Sequence, residues 1–170
     1  MNTTDPDHAA AAPAPAERRR AAVQIAALGY GIVFVLVGIA GFIPGVTTNV
    51  GSIQLGGHHS EAMLIGLFQV SILHNIVHLL YGVAGIALAS RPASARLFML
   101  IGGALYLVLW VYGLAIDKES MANFVPLNSA DDWLHFVLGV SMMGLSLLPR
   151  HRPPESTGRA HHRSTGAADA

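Results

Sequence analysis

The sequence has no cysteine among its 170 residues, which excludes disulfides, thiolate-held iron–sulfur clusters and a cysteine nucleophile. Charge is also scarce. Asp, Glu, Lys and Arg make up 12% of the chain and cancel to a net charge of zero, against about 25% charged residues in an ordinary soluble domain. No surplus of positive charge points to nucleic acid as a partner. There is no phosphate-cradling glycine loop, nucleophile elbow, zinc-protease helix or Asp-rich phosphotransfer motif, the arrangements on which hydrolases and phosphotransferases depend. No catalytic residue is assigned, and the chain is expected to be non-enzymatic.

What the chain does have is apolar sequence: 52% hydrophobic residues and a mean hydropathy of +0.49, gathered into long blocks. Crossing the roughly 30 Å hydrocarbon core takes a helix of about 17 to 25 residues. Four segments qualify, at about 21–43, 72–89, 97–116 and 132–148. Each is closed by a helix stop or polar cluster: Pro44-Gly45, the run from Arg91 to Arg96, Asp117-Lys118-Glu119, and Pro149-Arg150. The expected fold is all-α, a four-helix transmembrane bundle in the lipid bilayer, occupying residues 18–149. Residues 1–17 and 150–170 are polar, Pro-, Ala- and Gly-rich tails expected to be disordered, so His151, His161 and His162 read as solvated. Arg18-Arg19-Arg20 flank a retained first span: the apolar run is long for a signal peptide and ends without a small-x-small cleavage site.

Of the ten Lys and Arg residues, all but Lys118 fall on one side of this four-span topology. Positive charge marks the cytoplasmic side, so both termini are expected there, with the connections 44–70 and 117–129 facing outward. The segment from Met63 to Val70 is apolar but precedes the second span. It reads either as an extra helical turn or as a stretch lying along the outer membrane face.

Two stretches, from Ser71 to Gly82 and from Asn128 to Gly139, follow one plan at a constant spacing: a polar cluster, a histidine three residues on, a glycine four residues later. Ser71 can cap its helix, and Ser129 with Asp132 fits a capping box. His74 and His78 are i, i+4 neighbours, as are Asp131 and His135, so each pair shares a helix face. Gly82 and Gly139 lie on those faces and let another backbone or a flat ligand approach. Since both helices run in the same direction, the two helical hairpins form a parallel repeat about an axis along the membrane normal. His78 and His135 are then level in the outer half.

An imidazole in hydrocarbon needs a partner, for which Asn75 and Asp132 are placed three residues before His78 and His135. The first reading is structural: His78 and His135 bond across the bundle, to each other or to Asn75, Asp131, Tyr106 or Trp110, and stabilise it. The second is a ligand site near the outer face. Neutral imidazole binds transition metals and haem iron, so His78 and His135 are candidate haem or metal ligands. His74, Asp131 and Asp132 complete a candidate metal set, with His58, His59 and Glu61 nearby in the first connection. The third is a proton-coupled small transporter, because intramembrane ionisable groups mark pathways. Protein partners are not identified, and a homo-oligomer is left open.

With the stretch from His74 to Gly82 and the stretch from Asn123 to His135 in hand, the chain resembles an uncharacterised family of small four-span membrane proteins. That family is common in actinobacteria and is classed as a domain of unknown function. The likeness runs from about Arg20 to Leu148. It implies a bacterial plasma-membrane protein of this topology, and brings no reaction, ligand or partner with it. Members often carry Asp-Asn where this chain has Asp131-Asp132, and the extra carboxylate favours cation affinity.

Overall fold

The structure, a computed structural model, describes residues 21–147. Both expected tails, residues 18–20 and the three C-terminal histidines lie outside the described residues. Four helices follow one another: α1 (Ala22–Ala40), α2 (Ile72–Leu88), α3 (Pro92–Ala115) and α4 (Ser129–Ser146). Two of them, α1 and α3, are long and apolar enough to cross a membrane, and α2 is apolar but shorter at 17 residues. α1 packs on α2 and α3 on α4, and the two hairpins meet chiefly through α1 and α3.

Close approach within each hairpin depends on glycine. A Cβ placed on Gly31 would sit 2.7 Å from the Ile86 nitrogen and 2.8 Å from the Gly82 oxygen. In the second hairpin, a Cβ on Gly103 would sit 2.6 Å from Met143 and 2.9 Å from the Gly139 oxygen. Such backbone-to-backbone packing excludes any side chain at the crossing. Gly82 and Gly139 therefore serve the packing role expected of them.

Helix ends explain where the segments stop. At the end of the bundle that carries the short α2–α3 turn, Gln24 of α1 donates to the carbonyls of Ala89 (2.9 Å) and Ser90 (3.0 Å) beyond α2. Arg96 of α3 likewise donates to the carbonyl of Ser146 in α4. Both side chains satisfy carbonyls that a helix C-terminus leaves open. α3 begins at Pro92, five residues earlier than its apolar content suggests, because proline at the first helical position loses no hydrogen bond. The turn is thus narrower than the Arg91–Arg96 run.

The opposite end carries the two longer connections, and here the all-α expectation needs correction. Residues 63–70 are not a helical turn. They fold back in a three-stranded antiparallel sheet of β1 (Thr47–Thr48), β2 (Met63–Leu64) and β3 (Phe68–Gln69), in that order. The hairpin turn places Ile65 and Gly66 at positive φ (49° and 71°), and the backbone nitrogen of Leu67 bonds the Leu64 oxygen at 3.0 Å. Two adjacent left-handed residues are what a tight hairpin turn of the right twist demands. Ala62, Leu64 and Val70 form a small core beneath it, against Val37 and Ala40 of α1.

The Gly31 crossing gives a paired test. Gly31→Ala should destabilise the protein in detergent by about 1–3 kcal/mol, the usual cost of overpacking. Gly29→Ala, on the same helix with nothing within 4 Å of the added atom, should be neutral or stabilising by up to ~1 kcal/mol through helix propensity. Thermal melting followed by helical circular dichroism would read both.

Candidate functional site

Ser71 caps α2 as expected, its hydroxyl accepting from the His74 backbone nitrogen at 3.1 Å. The carbonyls of Gln54 and Leu55 take the next donors, from Ile72 and Leu73. The cap of α4 is Asn128, not Ser129. Its side-chain oxygen accepts from Ala130 (2.8 Å) and Asp131 (3.0 Å), and Asp131 reaches back to the Asn128 nitrogen at 3.0 Å. The capping box therefore sits one residue earlier than the Ser129 and Asp132 spacing suggests, because Asn128 supplies the same acceptor as serine.

This shift separates the two carboxylates. Asp131 is a joint: the same oxygen that closes the capping box also accepts from the Gln69 nitrogen of β3 at 3.1 Å. Asn128 donates to the Leu67 carbonyl at 2.8 Å, so the sheet is fastened to the start of α4 twice. Asp132 is instead paired with Lys118, whose ammonium lies 2.9 Å and 2.8 Å from its two oxygens. Gly113 leaves the room for it, since a Cβ there would collide with the Asp132 carboxylate. In the sequence Lys118 stands only in the polar cluster that closes the third apolar segment and as the one basic residue expected to face outward. Asn123, given no role by the sequence, is buried and ties the second connection together through the carbonyls of Lys118 and Leu127 and the Leu127 nitrogen.

His78 and His135 do not stack on one another. His74 and His78 stack with centroids 4.3 Å apart and planes 11° from parallel. At the centre of the bundle, Phe34 lies on Tyr106 (5.6 Å, 23°), with His78 against Phe34 (5.7 Å) and His135 against Tyr106 (5.3 Å). The expected bonds across the bundle are not formed. His78 Nδ1 lies 3.1 Å from the His74 carbonyl of its own helix, and His135 Nδ1, in a residue 4% exposed, has no partner. Neither Asn75 nor Asp132 serves an imidazole. Asn75 is fully buried with both amide atoms unpartnered, wedged where Gly41 leaves space. Ring packing leaves these imidazole nitrogens free of the rest of the bundle.

Instead the imidazoles face two cavities. One, of about 310 Å³, lies between α2 and α3, and the other, of about 380 Å³, between α1 and α4. His74, His78 and His135 belong to the walls of both. Asp131 joins only the second. His58 and His59 lie against each other, centroids 3.9 Å apart with planes tilted by 40°, in a separate hollow, divided from the histidine cavity by Leu73 and Phe124. Of the candidate metal set, His74, His78, Asp131 and His135 line the second cavity together, with Asp131 also held by backbone donors, while Asp132 is paired with Lys118. Among the described residues no three His, Asp or Glu side chains are grouped as metal ligands.

With this geometry in view, the comparison with known families is informative in one respect. The model of a domain of unknown function, DUF4383, matches residues 24–148. The chain belongs to this family. The match covers the four helices apart from the first two residues of α1, with the connections between them, so the histidine cavities lie inside the family domain. No curated protein and no solved structure matches the chain.

The Lys118–Asp132 pair yields a cycle of substitutions. Removing one partner of a buried pair leaves an uncompensated charge and costs about 3–5 kcal/mol. Lys118→Met should fall near about 3 kcal/mol, because the lysine side chain is 27% exposed while the aspartate is 4%. Asp132→Asn should cost less, and the double substitution should recover most of the Lys118→Met loss. Chemical or thermal denaturation of the four proteins checks the coupling.

Proposed function

We propose that the protein is a non-enzymatic, four-span membrane protein that holds a small ligand between its two hairpins, with both termini cytoplasmic. Support for the bilayer reading comes from how residues are sorted. Ile25, Leu36, Leu80, Val83, Ile101, Val108, Val137 and Val140 are exposed on the four helices, while Gln24, Asn75, Asp131, Asp132 and His135 are buried. A soluble bundle reverses that sorting. α2 and α4 run alongside α1 and α3, and for that reason count as spans in this reading. Arg91 and Arg96 lie at the short-turn end and Lys118 at the other, as the positive-inside rule asks.

The two hairpins read as copies of one unit. Gln24, Gly31, Phe34 and Gly41 of the first correspond, at one constant offset, to Arg96, Gly103, Tyr106 and Gly113 of the second. Each member of a set meets matching positions on its hairpin partner: beyond or at the C-terminus for Gln24 and Arg96, Gly82 and Gly139 for the glycines, His78 and His135 for the rings, Asn75 and Asp132 for the last pair. Under that relation the α2–α3 cavity and the α1–α4 cavity are twins.

One observation carries the ligand reading: three imidazoles, His135 buried and His74 and His78 half-buried, wall both cavities, and His135 Nδ1 has nothing to bond. A buried polar atom left unpaired costs about 1–3 kcal/mol, a cost that a bound group would remove. Mass spectrometry, elemental analysis and visible absorption of protein purified from its membrane test the reading. A stoichiometric small molecule, lost from His78→Ala/His135→Ala, is the expected result. A ligand-free wild type whose double variant merely melts lower would return the histidines to a structural role. Stoichiometric metal or a haem absorption band would replace the organic ligand by a metal centre.

Topology has a direct check, since the chain is free of native thiols. Cysteine introduced at Gly51, exposed in the first connection, should react with an impermeant maleimide in intact cells. Cysteine at Ala93, exposed at the short turn, should react only after the membrane is opened. The reverse pattern would invert the orientation, and labelling at both sites would refute four spans.

A further inference from the structure

Resting on the ligand reading above, we propose that the α2–α3 cavity is a binding site for a neutral, lipid-soluble ring compound bearing carbonyl or hydroxyl oxygens, of the quinone and quinol class. The ligand enters sideways from the bilayer, and the twin cavity between α1 and α4 does not take it.

The walls set the chemistry. His78 presents Nδ1 to the His74 carbonyl at 3.1 Å. A carbonyl only accepts, so the proton sits on Nδ1, and Nε2 is left as an acceptor. His135 Nδ1 is buried and unpartnered. A site with these imidazoles matches a ligand oxygen that accepts, donates, or does each at opposite ends of a ring. Among the described residues no free cation lies near: Lys118 is spent on Asp132, and Arg96 is at the far end of the bundle on the Ser146 carbonyl. An anionic head group would be buried without a counter-charge, which is costly. The ligand is therefore uncharged.

The ring preference comes from Tyr81, Tyr106 and Phe124, which share the cavity with the imidazoles. Flat π-faces favour an aromatic or quinonoid ring over a branched aliphatic one. The twin cavity lacks this feature at the matching places. Leu138 stands where Tyr81 would be, so apart from the shared histidines its helical walls carry no ring. Size agrees as well, since about 310 Å³ lies at the small end of ligand pockets and suits a head group whose tail remains outside. The mouth is built for that tail: Leu73, Val77 and Leu105 line the cavity and are each substantially exposed on the apolar outer surface.

The test uses full-length protein in lipid nanodiscs, titrated with 2,3-dimethyl-1,4-naphthoquinone by isothermal calorimetry. Saturable binding of one molecule per chain is expected. Leu105→Trp, which adds bulk at the α2–α3 cavity without replacing an imidazole, and His135→Phe, which keeps a ring but removes its nitrogens, should each weaken binding at least tenfold. Leu36→Trp, in the twin cavity, should leave it unchanged. Melting curves of each variant separate lost binding from lost fold. Absence of saturable binding to the wild type, undiminished binding to folded Leu105→Trp, or loss in Leu36→Trp would overturn the proposal. If the quinone fails but another small molecule co-purifies with wild type and not with Leu105→Trp, the class named here is wrong and the ligand reading stands. If nothing co-purifies either, both fall.

Discussion

The contact between Phe34 and Tyr106 is the hinge of the architecture. Each hairpin is zipped internally by glycine, with backbones too close to admit a side chain, so each behaves as a rigid slab. The slabs meet through α1 and α3, and at the centre of that seam the two rings lie nearly parallel. Aromatic pairs of this kind add about 0.5–1.5 kcal/mol beyond the area they bury. Their larger effect is geometric: they fix the spacing of α1 and α3, and with it the positions of His78 and His135, which rest against their outer edges. α2 and α4, further from the seam, cannot close on the neighbouring slab, and the two cavities are the gaps that remain.

Polar groups follow the same logic. Those at the connection end are nearly all committed to backbone: Asp131 to Asn128 and Gln69, Asn123 to Lys118 and Leu127, Gln69 to Ser60 and His58. The result is a cap of short strands and tethered loops over the histidine half of the bundle. Gly57 donates to Phe124 at 2.7 Å, so the two connections are joined to one another as well as to the helices. His135 Nδ1 and the Asn75 amide are exceptions in this otherwise committed inventory, and of the two only the imidazole borders the cavities.

Much of this was legible in the sequence. Four apolar blocks give four helices, Ser71 caps where its position suggests, and the repeated histidine-to-glycine spacing locates both the crossings and the site. The misreadings have physical causes. Ser129 and Asn128 are both good caps, and only the tether to β3 selects the earlier one. The stretch from Met63 to Val70 is apolar because it covers a small core of its own, and two-residue strands leave almost no alternation to detect. The counterpart relation between α1 and α3 went unseen because its members differ in kind (Gln24 with Arg96, Phe34 with Tyr106) and a longer first connection shifts their offset from that of α2 and α4. Lys118 looked like loop charge because nothing in a linear sequence announces that Gly113 makes room for its aspartate.

Asn75 and Asp132 occupy equivalent niches beside Gly41 and Gly113, yet only the aspartate is anchored. The amide of Asn75 carries two unmet hydrogen-bonding atoms in a place no solvent reaches, a burden of order 1–3 kcal/mol for each. Any slippage of α1 along α2 that gave this amide a partner would recover part of that deficit, whereas slippage of α3 along α4 would have to pull apart an ion pair. Buried polar groups therefore hold the second hairpin more firmly than the first, and the α2–α3 gap is bounded by one helix of each.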